Sequence, residues 1–460
     1  MNRRYLLSRY CFLQKISEKR LFYHSLSLNY VIAHKNDDFF LERDTIIIDE
    51  NTSLFFELKK KNLIVETKEQ DVELLQFSRG FIKEPYISTA YMFVTQNCNL
   101  ACKYCFEKQS QTHNSHKGDM TCETMDAGID FFNRLIRLNM QRFEEKKTII
   151  FYGGEPFLNK KTLYFGIEKI HSAIKTGLLP ENTKIIIVTN GTLLNDNDIQ
   201  LIKDHNITLT FSLDGDREAS GNRVYPDMKT LSWEKATLTF IKCKQAGINL
   251  NVACTLSPET IKRQEETLDY FINTIKASNI GFNVILDNDI IHIEENYDDL
   301  AAEFVTSSYE VLNKHNITEN RTQRRTQVFD KKFPCLFDCN AAGGRQISIA
   351  PNGDVGICHE HIMDKQHFIT NIYEDFNPTK SSKYLEWEKR SPLYMDECQS
   401  CIALGICGGG CVINTERNYG TIWKPDIRFC KQTLAILNML LELLIKQDNE
   451  NSFSLPRLQM

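Results

Sequence analysis

The chain has 460 residues, with 55 basic and 60 acidic side chains and a net charge of −5. At roughly 150 residues per domain this gives room for about three folded units and excludes a small secreted scaffold. The charge supplies no global attraction to nucleic acid or to an anionic membrane. Hydrophobic residues make up 42% and charged residues 25%, and no apolar run reaches the ~18 residues a membrane helix needs. The N-terminus is basic at Arg3, Arg4 and Arg9 but lacks the apolar run and small-residue cleavage site of a secretory signal. The expectation is a cytoplasmic protein with neither nucleic acid nor membrane as partner.

Residues 1–85 mix apolar alternation at 26–32, a strand-like stretch at 45–48 and a helical one at 52–61, which predicts a small α+β unit. From 86 to 319 short β-branched or aromatic runs alternate with longer amphipathic segments, the pattern of repeated βα units. Strands are predicted near 87–95, 148–152, 184–189, 208–213, 249–255 and 281–286, with helices near 123–143, 161–175, 196–204, 232–246, 259–276 and 298–314. Six such units make a partial (β/α)6 barrel of TIM type. The polar run with Arg321, Arg324 and Arg325 reads as solvated surface, and 320–332 as a linker. From 333 to 431 cysteines are dense, turn signals such as Asn352-Gly353-Asp354 and Gly408-Gly409-Gly410 are frequent and periodicity fades. A loop-rich region with so thin a core needs staples. The end, 432–460, is a helix and tail; the apolar helix, near 429–446, is expected to pack on the barrel or on the cysteine-rich region.

Fifteen cysteines, about 3% of the chain, are too few for a disulfide scaffold and many for a protein in a reducing compartment, where spaced cysteines are more often metal or cluster ligands. The first group, Cys98, Cys102 and Cys105, directly follows the first barrel strand. Three thiolates leave one iron of a four-iron cluster open to an outside chelator. A closed zinc site prefers four ligands, which His113 or His116 could complete. The C-terminal end of a barrel strand is where such folds place their chemistry.

This loop, with Tyr104 before its last cysteine, resembles that of the radical S-adenosylmethionine (SAM) enzymes. Gly153-Gly154-Glu155-Pro156 after the second strand, Thr189-Asn190-Gly191-Thr192 ending the third and Ser212-Leu213-Asp214-Gly215 ending the fourth follow the family's order. The resemblance implies a [4Fe-4S] cluster on Cys98, Cys102 and Cys105 that binds SAM, and Gly153, Gly154 and Glu155 at the methionine amino group. Asn190 is expected among the cofactor-binding residues; Ser212 and Arg223 would hold the carboxylate, Tyr104 would lie by the adenine and Leu286 would line the pocket. The family usually has His-Asp shortly before that arginine, whereas this chain has Glu218-Ala219-Ser220-Gly221-Asn222-Arg223. The implied chemistry is reductive cleavage of SAM to a 5′-deoxyadenosyl radical that takes hydrogen from substrate, using electrons from a donor such as flavodoxin or ferredoxin.

The second group runs Cys339, Cys358, Cys398, Cys401, Cys407, Cys411 and Cys430. A structural zinc pair could use the same thiolates. The order and spacing resemble the SPASM extension of radical SAM enzymes, which implies two auxiliary [4Fe-4S] clusters, one on Cys339, Cys358 and Cys411 and one on Cys398, Cys401, Cys407 and Cys430. Cys335 is an extra candidate whose presence would close the first of them. Cys11, Cys122, Cys243 and Cys254 stand singly and read as core residues.

Within the SPASM group, peptide maturases and anaerobic sulfatase maturases are the main classes, so a precursor peptide or protein is the expected substrate. In the sulfatase maturases an aspartate directly follows the cysteine equivalent to Cys358; here His359 stands there, either as a catalytic base or as a hydrogen-bond partner. Asp214 reads as structural or cofactor-side. In addition, 97 residues precede Cys98, more than resembling sulfatase maturases have, and peptide maturases often carry a small unit there that captures a leader peptide. The expectation is oxidative modification or cross-linking of a ribosomally made precursor, with formylglycine formation on a sulfatase as the alternative.

Overall fold

The computed structural model describes residues 2–16, 18–105, 118–285, 291, 293–362 and 367–450. The N-terminal unit holds two antiparallel sheets. Strands β1 (Asn2–Leu7), β5 (Phe39–Glu42), β6 (Thr45–Asp49) and β7 (Ile64–Val65) form one in the order β5-β6-β1-β7, and β2 (Cys11–Ile16), β3 (Lys19–His24) and β4 (Tyr30–Ala33) form the other. Alternation puts Ile46 and Ile48 into a core with Phe22, Val31, Phe39, Leu54, Phe55 and Leu58. The helix Ser53–Lys60 is capped by Thr52, whose hydroxyl accepts from the Phe55 N–H at 3.3 Å. The alternation at Leu26–Leu28 does not make a strand. It is a turn with Leu28 at φ 62°, and the Ser25 carbonyl accepts from the Gly405 N–H at 2.8 Å, which docks the unit on the cysteine-rich region.

The larger sheet carries the barrel. Strands β8 (Thr89–Thr95), β9 (Thr148–Gly153), β10 (Lys184–Thr189), β11 (Thr208–Ser212), β12 (Leu250–Leu256) and β13 (Asn279–Val284) pair in parallel, each with its neighbour in the chain. On one side the short β14 (Thr318–Glu319) extends it in parallel. On the other, β15 (Gln346–Ile349) joins β8 in parallel, followed by antiparallel β16 (Asp354–Gly356) and β17 (Thr370–Asn371). The cysteine-rich region is thus hydrogen-bonded onto the first barrel strand. The fold is a partial (β/α)6 barrel with a small N-terminal α+β unit and a loop-rich, cysteine-rich C-terminal region.

Helices Cys122–Arg137, Lys160–Lys175, Asp196–Asp204, Trp233–Gln245 and Tyr297–Lys314 cover the outside of the sheet. Their buried stripes recur at helical spacing; Leu163, Gly166, Ile167 and Ile170 make one of them, and each buried aliphatic there contributes roughly 1.5–3 kcal/mol. The helix expected over 259–276 is broken. Arg263 leaves helical geometry (φ −117°, ψ 45°), its guanidinium pairs with Asp216 at 2.6 Å, and Pro258–Lys262, Gln264–Asp269 and a π turn at Tyr270–Thr274 replace one continuous element. The C-terminal helix Ile427–Glu450 buries Ile436, Leu437, Leu440 and Leu441 in the main core.

The expected linker at 320–332 is instead a helix, Asn320–Lys331, capped by Glu319, whose carboxylate accepts from the N–H groups of Arg321 (3.1 Å) and Thr322 (2.7 Å). Its arginines bind within the protein. Arg321 donates to the Phe282 carbonyl at 2.6 Å, Arg324 to Asp338 at 2.6 Å, and Arg325, fully buried, to Thr433 at 3.1 Å and Asp338 at 3.3 Å. The charge run is an internal joint between barrel and cysteine-rich region because its carboxylate partner lies beyond it in the chain.

Candidate functional site

The loop bearing Cys98, Cys102 and Cys105 leaves β8 and is held on two sides. On one, the N–H groups of Ala101 and Lys103 donate to the carbonyls of Val224 (2.7 Å) and Asn222 (3.0 Å), while Cys105 N–H turns back to the Cys102 carbonyl at 3.3 Å. On the other, Gly154 N–H donates to Thr95 O at 2.9 Å and Glu155 N–H to Asn97 O at 2.8 Å. A Cβ on Gly153 (φ +131°) would lie 2.1 Å from the Thr95 oxygen, and one on Gly154 would lie 2.1 Å from the Asn97 oxygen and 2.9 Å from the Cys98 nitrogen. Two backbones in contact leave no room for a side chain, and that is the local reason for the glycine pair.

Glu155 is buried and ties the ends of β9 and β10 together. Its carboxylate accepts from the Thr189 hydroxyl (2.8 Å), the Phe157 N–H (3.2 Å) and the Asn190 N–H (2.7 Å). Burial pushes its pKa up to about 7 despite those hydrogen bonds. Asn190 donates to Asn99 Oδ1 at 2.9 Å and sits 3.9 Å from the Cys98 sulfur, and Asn99 donates to the Thr192 hydroxyl at 2.8 Å. The third-strand motif therefore touches the cysteine loop directly.

Asp214, fully buried, is the second hub. It accepts from Arg223 Nε at 3.0 Å, from the Thr255 N–H at 2.9 Å and from the Tyr104 hydroxyl. Burial disfavours the Arg223 charge, but Asp214, Tyr104 and Cys102 together more than offset this and raise the guanidinium pKa. Arg223 Nη1 lies 3.9 Å from the Cys102 sulfur, and the guanidinium stands 5.6 Å from the centre of the Tyr104 ring. Arg223, Tyr104 and the cysteine loop thus converge although the residues before Arg223 depart from the family's pattern. Ser212 ends β11, in register with Ala253. Leu286 lies outside the described residues, as do His113 and His116.

The donor set fits an iron–sulfur group. Cys98 is pushed up to about 12, first by burial, so a thiolate there requires a strong cationic partner. The Asn190 amide and the Arg223 guanidinium stand beside two of the sulfurs, as groups that stabilise cluster thiolates do. In the C-terminal region burial raises Cys358, and Cys339 and Cys411 are close enough to add to the effect; in the same way Cys398, Cys401 and Cys407 act on Cys430. Each set of thiols could hold a cluster. Cys335 donates to the Phe337 carbonyl at 3.3 Å and has Arg324, Arg325 and Asp338 as its electrostatic neighbours.

Along β8, Ala90, Met92 and Val94 face the main core, whereas Tyr91 and Phe93 turn to the other face. There His359 stacks on Tyr91 (centroids 4.4 Å, 7°) and meets the edge of Tyr152 (5.3 Å). Desolvation, with His361 nearby, lowers its pKa to about 4. At neutral pH it is an uncharged ring and a weak proton acceptor.

Asp214 is the residue whose importance sequence reading undervalued: a strand-end aspartate gives no sign of which arginine or tyrosine it binds. Asn99 was likewise missed, and only its place inside the cysteine loop could have flagged it.

Residues 92–271 match the model of the radical SAM superfamily. The chain is 24% identical over 382 residues (77% of this chain, 74% of the other) to the radical SAM cyclopropyl synthase TigE of Paramaledivibacter caminithermalis. It is 24% identical over 331 residues (68% and 76%) to a serine-type anaerobic sulfatase-maturating enzyme of Klebsiella aerogenes. Among solved structures it is similar to native anSMEcpe with bound AdoMet and Cp18Cys peptide, at TM-score 0.65 and 18% identity over 80% of this chain and all of that one (100%). It is also similar to Streptococcus suis SuiB bound to S-adenosylmethionine, at TM-score 0.52 and 14% identity over 92% and 99%. The matched motifs are those that converge on Cys98, Cys102 and Cys105: residues 92–271 carry a radical SAM domain, and the chain around it is similar to SPASM-type maturases.

Proposed function

We propose that this chain is a peptide maturase that removes hydrogen from a ribosomally made precursor peptide and oxidises or cross-links it. Cys98, Cys102 and Cys105 would hold the SAM-binding [4Fe-4S] cluster. Cys339, Cys358 and Cys411, with Cys335 as the candidate fourth thiol, and Cys398, Cys401, Cys407 and Cys430 would hold two auxiliary clusters. When bound, these groups supply a hydrogen-abstracting carbon radical and an acceptor for the surplus electron.

The protein's own part is positioning. Gly153 and Gly154 let the second strand's loop touch the cysteine loop, and Glu155 and Asn190 fix the next strand end against it. Arg223, with its charge balanced by Asp214, and Ser212 would receive the SAM carboxylate, with Tyr104 by the adenine. The Tyr91, Phe93 and Tyr152 face, closed by His359, forms an aromatic wall between barrel and cysteine-rich region suited to a peptide side chain and to excluding water. A low-potential donor such as flavodoxin or ferredoxin would supply electrons.

The observation that carries this reading over sulfatase maturation is the N-terminal unit. It has its own core, it docks on the cysteine-rich region through Ser25 and Gly405, and its edge strand β5 pairs only with β6 among the described residues, with Phe40 exposed. An edge of this kind can take an extended leader as an added strand. Where the sulfatase maturases carry an aspartate this chain has His359, whose ring is uncharged at neutral pH and stacked on Tyr91, so no carboxylate stands at that position.

The test is the intact mass of a small peptide encoded beside this protein after anaerobic co-expression with it. Loss of about two mass units is expected, with 5′-deoxyadenosine formed by the wild type and absent in Cys102→Ala. A cluster-replete protein that cleaves SAM, leaves such peptides unchanged and converts a sulfatase-derived peptide to its aldehyde would overturn the reading.

A further inference from the structure

His361, His367 and Glu416 present one nitrogen or oxygen each, all within 4.8 Å of one another. His361 Nε2 lies 3.3 Å from Glu416 Oε2. Ligand atoms bound to a tetrahedral zinc ion at about 2.0–2.1 Å stand about 3.4 Å apart, so this pair already has the separation of two ligands. The two imidazoles stack with centroids 3.6 Å apart and planes 11° apart, so the third ligand atom is already within 4.8 Å of the other two, and a turn of one ring out of the stack is the adjustment that binding an ion requires. His361 is buried and meets the edge of Trp387, and the other two are half-buried, so the donors sit in a partly dry recess and are not spread over an exposed surface.

The residues come from three places. His361 ends the 3-10 turn His359–His361 that follows Cys358, His367 precedes β17, and Glu416 lies on the helix Val412–Tyr419 that follows Cys411. We propose that His361, His367 and Glu416 form a mononuclear zinc-class site, distinct from the cysteine sets, with water as the fourth ligand. Two neutral imidazoles and a carboxylate are a donor set that suits Zn2+ and not an iron–sulfur cluster. Its effect is mechanical: the ion clamps the loop carrying Cys358 to the helix that begins after Cys411, a second tie between two segments whose thiols are proposed to share one auxiliary cluster. Binding replaces the 3.3 Å contact between His361 and Glu416 with metal bonds to both partners and releases any proton the imidazoles carry; no oxidation or reduction is involved.

The experiment uses full-length protein with its iron sites reconstituted anaerobically, incubated with zinc chloride and then washed with a weak chelator. The wild type is expected to keep one zinc per chain, with a zinc K-edge absorption spectrum showing nitrogen and oxygen neighbours at about 2.0–2.1 Å and no sulfur at about 2.3 Å. His367→Asn and Glu416→Gln, which spare the buried His361, are expected to lose that zinc or bind it 10- to 100-fold more weakly while keeping wild-type iron content. The wild type is expected to melt at a higher temperature with zinc than without, and the variants at one temperature in both. Absence of retained zinc in the wild type, sulfur neighbours in its spectrum, or unchanged zinc in both variants would each overturn the proposal.

Discussion

Replacing Gly154 with alanine tests how the cysteine loop is positioned. The new Cβ would start 2.1 Å from the Asn97 oxygen and 2.9 Å from the Cys98 nitrogen, both backbone atoms, whereas contacts below 3.0 Å essentially do not occur. One of the two backbones must therefore move by about 1 Å, and a displacement of that size in a reacting constellation costs on the order of 10²-fold in rate, or about 2.7 kcal/mol. Neither side can yield easily. The loop is anchored at Val224 and Asn222, and Glu155 by Thr189 and Asn190. The assay is anaerobic 5′-deoxyadenosine formation with dithionite, expressed per reconstituted cluster, so that loss of iron and loss of geometry are separated. Gly118→Ala is the control: it lies beside the same loop, hydrogen-bonded to Gln96, but its Cβ would meet its nearest neighbour, Pro351, at 3.5 Å. Gly154→Ala within threefold of wild type, or Gly118→Ala equally damaged, would refute the argument.

Asp214→Asn leaves Arg223 charged, largely buried and without its 3.0 Å carboxylate partner; removing one member of such a pair costs about 3–5 kcal/mol. A marked fall in melting temperature and weaker SAM binding by calorimetry are expected, and an unchanged melting curve would contradict the hub. His24 gives a pH dependence. It is fully buried, its Nδ1 accepts from the Ser27 N–H at 3.1 Å, and its Nε2 lies 3.3 Å from the Ser8 hydroxyl, which donates to Asp71 at 2.6 Å. Burial lowers its pKa from 6.5 to about 4. Between those values the unfolded chain binds a proton that the folded one does not, so stability falls as pH drops through this window, by about 3 kcal/mol in all. Urea denaturation at stepped pH should show that loss and a shallower one in His24→Gln; equal slopes would remove His24 as the cause.

The barrel was legible in the sequence because its signals are local. Short β-branched runs such as Lys184–Thr189 and period-3.6 stripes such as Lys160–Lys175 are set by neighbours a few residues away, and the strands and most of the helices appear where those patterns place them. The cysteine groups were legible for a related reason, since ligand spacing on one loop is a sequence property. What failed was each reading that needed a distant partner. Arg321, Arg324 and Arg325 look like solvated charge until the fold brings Phe282, Asp338 and Thr433 to them. The segment at 259–276 looks like one helix until Asp216 captures Arg263. The parallel pairing of β15 with β8, the Asp214 hub and the gathering of His361, His367 and Glu416 share that character. A side chain's chemistry is written in the chain, but its burial and its partner depend on which elements the sheet order makes neighbours, and only the folded molecule decides that.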